Sequence, residues 1–465
     1  MSYRNIALQH LRALITVCFV IAAGSICAQD NKIERPPDLD KTAYAFISLL
    51  LQPDLALTEP MNYIEQTWQP TYIAMSLDML SLNRRASVSH WMYKVLRNKT
   101  GQNLGNDLQS WFVWAWNQPE QRHEHYAQFK SHLYRLIDPL FAGYFDDQRQ
   151  TDIRLDEVRW GGVAQDGIPP LRSPKMISAG EADYLKDGNV VFGIEINGDA
   201  RAYPKRILAW HEMFVDEIGG TEFAGVYCTL CGAVILYQTN YQGVNHALGT
   251  SGFLYRSNKL MYDQKTQSLW STTRGEPVIG PLVGQGIQLQ RSYVVTTTWG
   301  EWRRRHPSSS VLSLDTGHSR NYDEGAAYRD YFATDELMFN VPKIDTRLNN
   351  KDEVLALTFP KHSDITLAIH AEFLANHPVY HDSVGPISLV VLTDTSGANR
   401  VYQSESTKFD SYDQDRLVMD SEGNQWVMTE EALTSTDGEK LDRLPAHRAF
   451  WFGWYAVHNE TRLVQ

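Results

Sequence analysis

The sequence predicts an α+β protein in which an α-helical N-terminal domain precedes a mainly-β region built from two related units. Three observations carry this reading. Apolar residues recur at helical spacing before residue 150, and short β-rich runs separated by glycine turns follow Arg159-Trp160-Gly161-Gly162. Pairs of motifs also recur in the second region at slowly falling offsets. A chain of 465 residues has room for several domains. The expected division is a signal peptide over 1–28, a helical domain over 40–150, a first β-rich unit over 151–340 and a second over 350–465.

Arg4 and Arg12 give the start a positive charge, Ala13 to Ala23 is apolar, and Gly24-Ser25-Ile26-Cys27-Ala28 is rich in small residues. That is the pattern of a secretory leader, too short and wrongly flanked for a spanning helix. Cys27 could mark a lipid-modified N-terminus, but Ile26 before it disfavours that processing. A periplasmic or secreted protein with no membrane span after leader removal is expected.

The helical reading rests on Tyr44/Ile47/Leu51, Tyr72/Met75/Met79/Leu82 and Tyr126/Phe129/Leu133/Leu136/Leu140, with Pro53, Pro60, Pro70 and Pro119 as punctuation. Trp68, Trp91, Trp111, Trp114 and Trp116 are expected to fill this domain's core. His123-Glu124-His125 with His132 has the residue types of a metal site but reads as a solvated helix face.

In the second region the strand-like runs are Val190–Ile196, Phe223–Tyr227, Ala233–Gln238, Ile387–Leu392 and Asn424–Met428, divided by turns such as Asn197-Gly198, Gly219-Gly220 and Asp437-Gly438. Four motifs recur in order. His211-x4-Asp216-x-Ile218-Gly219 matches His377-x4-Asp382-x-Val384-Gly385, and Tyr237-Gln238 matches Tyr402-Gln403. Asp263-x6-Trp270 matches Asp420-x5-Trp426, and Trp299-x2-Trp302-x3-His306-x4-Val311 matches Trp451-x2-Trp454-x3-His458-x4-Leu463. The offsets fall from 166 through 165 and 157/156 to 152, as a diverged and slightly shortened second copy requires. The repeated tryptophans and histidines read as packing residues.

With 43 Lys+Arg against 55 Asp+Glu, the net charge is −12. An acidic chain of this kind argues against nucleic-acid or anionic-membrane binding. Arg303-Arg304-Arg305 accordingly reads as a solvated basic face. Of the four cysteines, Cys18 and Cys27 fall in the leader, leaving Cys228 and Cys231 in a single C-x-x-C.

Cys228-Thr229-Leu230-Cys231-Gly232 admits three readings. A redox dithiol of the thioredoxin type needs a helix after the first cysteine, whereas Ala233-Val234-Ile235-Leu236-Tyr237 is strand-like. A metal knuckle would point both thiolates at one ion such as copper or zinc, with the other ligands from elsewhere. His211 in Trp210-His211-Glu212 is the first candidate and His246 the second. A structural disulfide or a pair of inert thiols is the third reading, weakly motivated because so short a loop stabilises little. The second copy has Thr393-Asp394-Thr395-Ser396-Gly397 at the equivalent turn, so the cysteines are particular to the first. Arg201 in Arg201-Ala202-Tyr203-Pro204 reads as a salt-bridged structural arginine or as an anion clamp at a ligand site, and Tyr203 and Glu212 are expected to support the site or contact a ligand. Gly249-Thr250-Ser251-Gly252 reads as a β-turn.

These residues carry a resemblance. Arg201-Ala202-Tyr203-Pro204, Trp210-His211-Glu212, Tyr227-Cys228-x-x-Cys231-Gly232, Gly249-Thr250-Ser251-Gly252, Met261-Tyr262-Asp263, Ser268-Leu269-Trp270, Gly280-Pro281-Leu282 and Trp451-Phe452-Gly453-Trp454 appear in order. The string resembles the DUF3179 family of uncharacterised, often exported proteins, over about residues 155–465. The family's usual pattern has proline between the cysteines, where this chain has Thr229. The resemblance implies the importance of the C-x-x-C and histidine motifs, and no reaction. The expectation is an exported copper- or zinc-binding protein, a redox enzyme in one version, with Cys228, Cys231 and His211 as ligands. The alternatives are a metal-free thiol–disulfide protein and a non-catalytic interaction module.

Overall fold

The computed structural model describes residues 33–359 and 362–465; the expected leader lies outside them. Six helices open the described chain: α1 (Lys41–Leu51), α2 (Thr58–Gln66), α3 (Tyr72–Leu82), α4 (Ala86–Thr100), α5 (Leu108–Trp116) and α6 (Tyr126–Tyr134). Their ends follow local chemistry. Asp40 accepts the Thr42 and Ala43 N–H groups at the start of α1, and Gly101, at φ 71°, closes α4 in the left-handed region. The buried faces meet through Phe46, Met75, Met92, Trp111 and Phe129. Lys130 is fully buried and bonds Asp78 at 2.8 Å.

Three details differ from expectation. Helix α6 stops at Tyr134, and Leu136 and Leu140 are exposed, because a short 3-10 turn begins at Pro139, which cannot continue the helix. Only Trp111 and Trp116 of the five tryptophans are fully buried; Trp68, Trp91 and Trp114 pack at the margin. His123 is buried rather than solvated, and His125 Nδ1 lies 2.8 Å from Asp147.

The β region begins as a sheet in which β1 (Val190–Ile196) and β2 (Asp199–Pro204) pair antiparallel. A second sheet follows through α7 (Lys205–His211): β3 (Met213–Ile218), β4 (Thr221–Cys228) and β5 (Ala233–Gln238), a meander. The chain returns to the first sheet with β6 (Val295–Thr298) beside β1, α8 (Trp299–Arg305), and β7 (Ser310–Leu312) parallel to β2. After the short helix α9 (Arg329–Phe332), the same succession occurs again. β8 (Glu353–Phe359) pairs with β9 (His362–His370), and α10 (Ala371–Ala375) leads to the meander β10 (Val379–Val384), β11 (Ile387–Thr393) and β12 (Asn399–Gln403). β13 (Ala446–Phe450) then flanks β8, α11 (Trp451–Val457) follows, and β14 (Arg462–Val464) runs parallel to β9.

The matched motifs occupy matched places. Gly219 and Gly385 both sit at φ 56°, a backbone that favours glycine, in the turns after β3 and β10. The Trp302 and His306 rings stand 4.1 Å apart, as do those of Trp454 and His458. Trp302 Nε1 donates to Ser309 and Trp454 Nε1 to Thr461, seven residues on in each case.

A five-stranded sheet over 158–279 joins the helical domain to the first unit, with Phe253 4.9 Å from Tyr134 and 4.8 Å from Phe141. Gly249–Gly252 is not a free turn: it lies inside the strand Leu248–Tyr255, at a register shift between Thr250 and Leu254. The Arg303–Arg305 face is only partly solvated. Arg305 is buried between the units, bonded to Glu301 at 2.6 Å and to Tyr412 at 3.1 Å, with Asp394 at 3.6 Å. No helix among the described residues is long and apolar enough to cross a membrane.

Candidate functional site

Cys228 ends β4 and faces Ala233, the first residue of β5, so the C-x-x-C is the tip of a hairpin. Gly232 adopts φ 62°, and a Cβ there would stand 2.9 Å from the Phe450 ring; both conformation and space demand glycine. Cys228 and Cys231 form a disulfide with Cα atoms 5.4 Å apart. The Cys231 N–H donates to Cys228 Sγ at 3.4 Å.

The tip is covered by β13 and α11 of the second unit and by α9. Phe450 N–H donates to Cys231 O at 2.8 Å, Gly453 of α11 lies against Cys231, and Tyr331 of α9 donates its hydroxyl to Leu230 O at 2.7 Å. Both cysteines are buried.

Glu212 grips the same tip from below. Its amide closes α7 on Leu208 O at 2.7 Å, and its φ of 55° is uncommon for a residue with a side chain. The side chain explains the placement. Oε1 accepts from Thr229 Oγ1 at 2.7 Å and from Tyr328 OH at 3.2 Å, and Oε2 accepts from Lys259 Nζ at 2.8 Å. The Glu212 carbonyl takes the Tyr227 N–H at 2.8 Å. Glu212 and Lys259 are both buried, so each is the neutralising partner the other needs. Burial and the Glu212 carboxylate together push the Tyr328 phenol up, so it stays a donor.

His211 is differently engaged. Nδ1 donates to Pro169 O at 2.9 Å, and Nε2 accepts from Tyr322 OH at 2.6 Å. The donor role of Nδ1 follows because a carbonyl can only accept. Burial lowers its pKa to about 4, so the ring is neutral near pH 7. Both nitrogens are therefore committed, and both sulfurs are joined to each other. As arranged, these residues do not fit a copper or zinc ion, and among the described residues no group of three or more His, Cys, Asp or Glu side chains could hold one. His246 Nδ1 lies 3.2 Å from Asp263 Oδ2.

Arg201 and Tyr203 converge on a different carboxylate. Arg201 bonds Asp216 at 2.7 Å and Asp199 at 2.8 Å, and Tyr203 OH donates to Asp216 at 2.7 Å. Tyr203 stacks on Phe214 at 3.8 Å. This pins β2 to β3, the salt-bridged role for Arg201. Of the expected site residues, the structure brings together Cys228, Cys231 and Glu212, while His211, Arg201 and Tyr203 bond other partners. Lys259, Thr229, Tyr328 and Tyr331 complete the site. Lys259 had one signal in the sequence: a lone charge in the apolar run Leu260-Met261-Tyr262 that follows it.

No curated protein and no solved structure matches this chain. The family model described as "Protein of unknown function (DUF3179)" matches residues 165–461, more than half of the chain. That span covers most of both β units and the whole disulfide hairpin, and the chain belongs to the DUF3179 family.

Proposed function

We propose that this is an exported thiol–disulfide protein whose working couple is Cys228 and Cys231. The observation that carries the reading is a bonded cysteine pair at a hairpin tip, held by the buried Glu212–Lys259 ion pair through Thr229. The exchange balances as follows. A thiolate of an external dithiol attacks one sulfur, the Cys228–Cys231 bond breaks, and the released thiolate takes up a proton. The second thiol of the reductant displaces the mixed disulfide. Two electrons and two protons enter the cysteine pair, and the reductant leaves oxidised. The Cys231 N–H aimed at Cys228 Sγ would stabilise a thiolate on Cys228, which favours Cys228 as the leaving group. Burial under Phe450 and Gly453 requires α11 to shift before a bulky reductant reaches the sulfurs.

The signal-peptide pattern supports an oxidising location, where such a couple persists. The two β units are read as diverged copies, of which only the first carries cysteines. The metal reading asks for a reduced pair and for His211 to abandon two hydrogen bonds, and so ranks second.

The test is thiol quantification after equilibration in dithiothreitol redox buffers, with elemental analysis of the same samples. The reading expects two thiols per chain to appear reversibly, at a potential above about −300 mV. A pair that stays oxidised throughout leaves only an interaction module. Stoichiometric copper or zinc that is lost in Cys228→Ala/Cys231→Ala would replace this reading with the metal one.

A further inference from the structure

Gly232 also borders a cavity of about 210 Å³ between the two units. Equivalent parts of both units reach it: Gly232 at the first hairpin tip and Ser396 and Gly397 at the second. β6 packs against β12 and β13, and β13 in turn packs against β5, so the cavity lies where matched strands meet.

Its charged groups are unequally engaged. The Arg448 guanidinium is fully used, by Asn399 at 2.8 Å, Glu353 at 3.0 Å and Gly397 O at 2.6 Å. Lys205 is not. Its Nζ lies 4.7 Å from the centre of the Phe332 ring and has no carboxylate or hydrogen-bond partner among the described residues. Tyr227, next to Cys228, lines the same cavity and is 1% exposed, yet its hydroxyl has no hydrogen-bond partner. Burial, then the Glu353 and Glu212 carboxylates, push this phenol well up, so it remains a donor. A buried donor without an acceptor carries an uncompensated desolvation cost, which a ligand oxygen would recover. Lys205 and Arg448 against Glu353 leave one net positive charge lining the cavity, in a chain of net charge −12.

We propose that this cavity binds a small carboxylate, its anionic group received by Lys205 Nζ and the Tyr227 hydroxyl. The space is below the roughly 300–1,000 Å³ typical of sites for drug-sized ligands. A short acid matches it better than a nucleotide does. The proposal stands apart from the redox reading, since neither sulfur needs to react.

Calorimetric titration of the purified protein with acetate, malonate, succinate and inorganic phosphate at low salt tests it. A carboxylate should bind with Kd of about 1 mM or tighter. Lys205→Met should weaken it about tenfold, as expected for loss of a charge-assisted bond, and Tyr227→Phe by a smaller factor. Lys205 is only half-buried, so its variant keeps the test valid if Tyr227→Phe folds poorly. Absence of heat with all three carboxylates, tighter binding of phosphate than of any carboxylate, or unchanged affinity in Lys205→Met would overturn the proposal.

Discussion

Gly453 of α11 lies so close to Cys231 that a Cβ built on it would stand 2.6 Å from the Cys231 Cβ. The glycine lets a helix of the second unit seal the disulfide of the first. Gly453→Ala must push α11 away or twist the hairpin, an overpacking cost of about 1–3 kcal/mol. The expected outcome is a lower melting temperature together with faster alkylation of the cysteines under reductant. A stable variant with unchanged alkylation would show that α11 does not guard the pair.

Lys259 neutralises Glu212 where both are largely removed from water. Lys259→Met leaves the carboxylate unpaired, and loss of about 3–5 kcal/mol is expected. Adding Glu212→Gln should restore much of it, because an amide needs no counter-charge. Urea unfolding of the single and double variants measures this; equal losses in both would contradict the pairing.

The disulfide spans only three residues in sequence. Closing so short a loop stabilises by about 2 kcal/mol. Cys228→Ser/Cys231→Ser should therefore lower stability by about that amount while leaving the far-ultraviolet circular dichroism unchanged. A much larger loss would mean that the bond also holds the two units together.

Two buried histidines, His211 and His447, and the half-buried His458 make stability acid-sensitive. Burial lowers His211 to about 4 and His458 to about 3, with Arg291 and Arg274 adding to the effect at His458. Burial likewise depresses His447, with Arg291 and His458 adding to it. The unfolded chain titrates near 6.5, so between that value and the folded ones it binds more protons than the native state. Stability is then full above about pH 6.5 and falls as the pH drops toward about 4. Unfolding free energies measured across this range should slope upward with pH, and His458→Gln should flatten the slope. An unaltered slope in His211→Gln and His458→Gln alike would assign the acid loss to other groups.

Much of this site was legible. Cys228, Cys231 and Gly232 stand out by residue type, and Glu212 sits in a motif with His211. Lys259 was marked only by the apolar run that follows it, because a lysine reads as a surface residue until a buried carboxylate is placed opposite it. His211 misled for a related reason. Its residue type suits a metal, but its chemistry is decided by the Pro169 carbonyl and the Tyr322 hydroxyl, 42 and 111 residues away. Arg305 looked like part of a solvated stretch until the second unit closed over it.

The sequence by itself determined the helical domain, the order of the β runs, the matched motif pairs and the cysteine pair at a glycine-ended turn. Periodicity, turn chemistry and cysteine spacing are local properties, and a linear pattern encodes them directly. Only the tertiary structure decided that Phe450 and Gly453 cover the cysteines, that Lys259 balances Glu212, and that Tyr227 and Lys205 face a shared cavity. Those relationships join residues tens to hundreds of positions apart. They depend on burial and on which charge lies opposite which, and no local pattern carries that information.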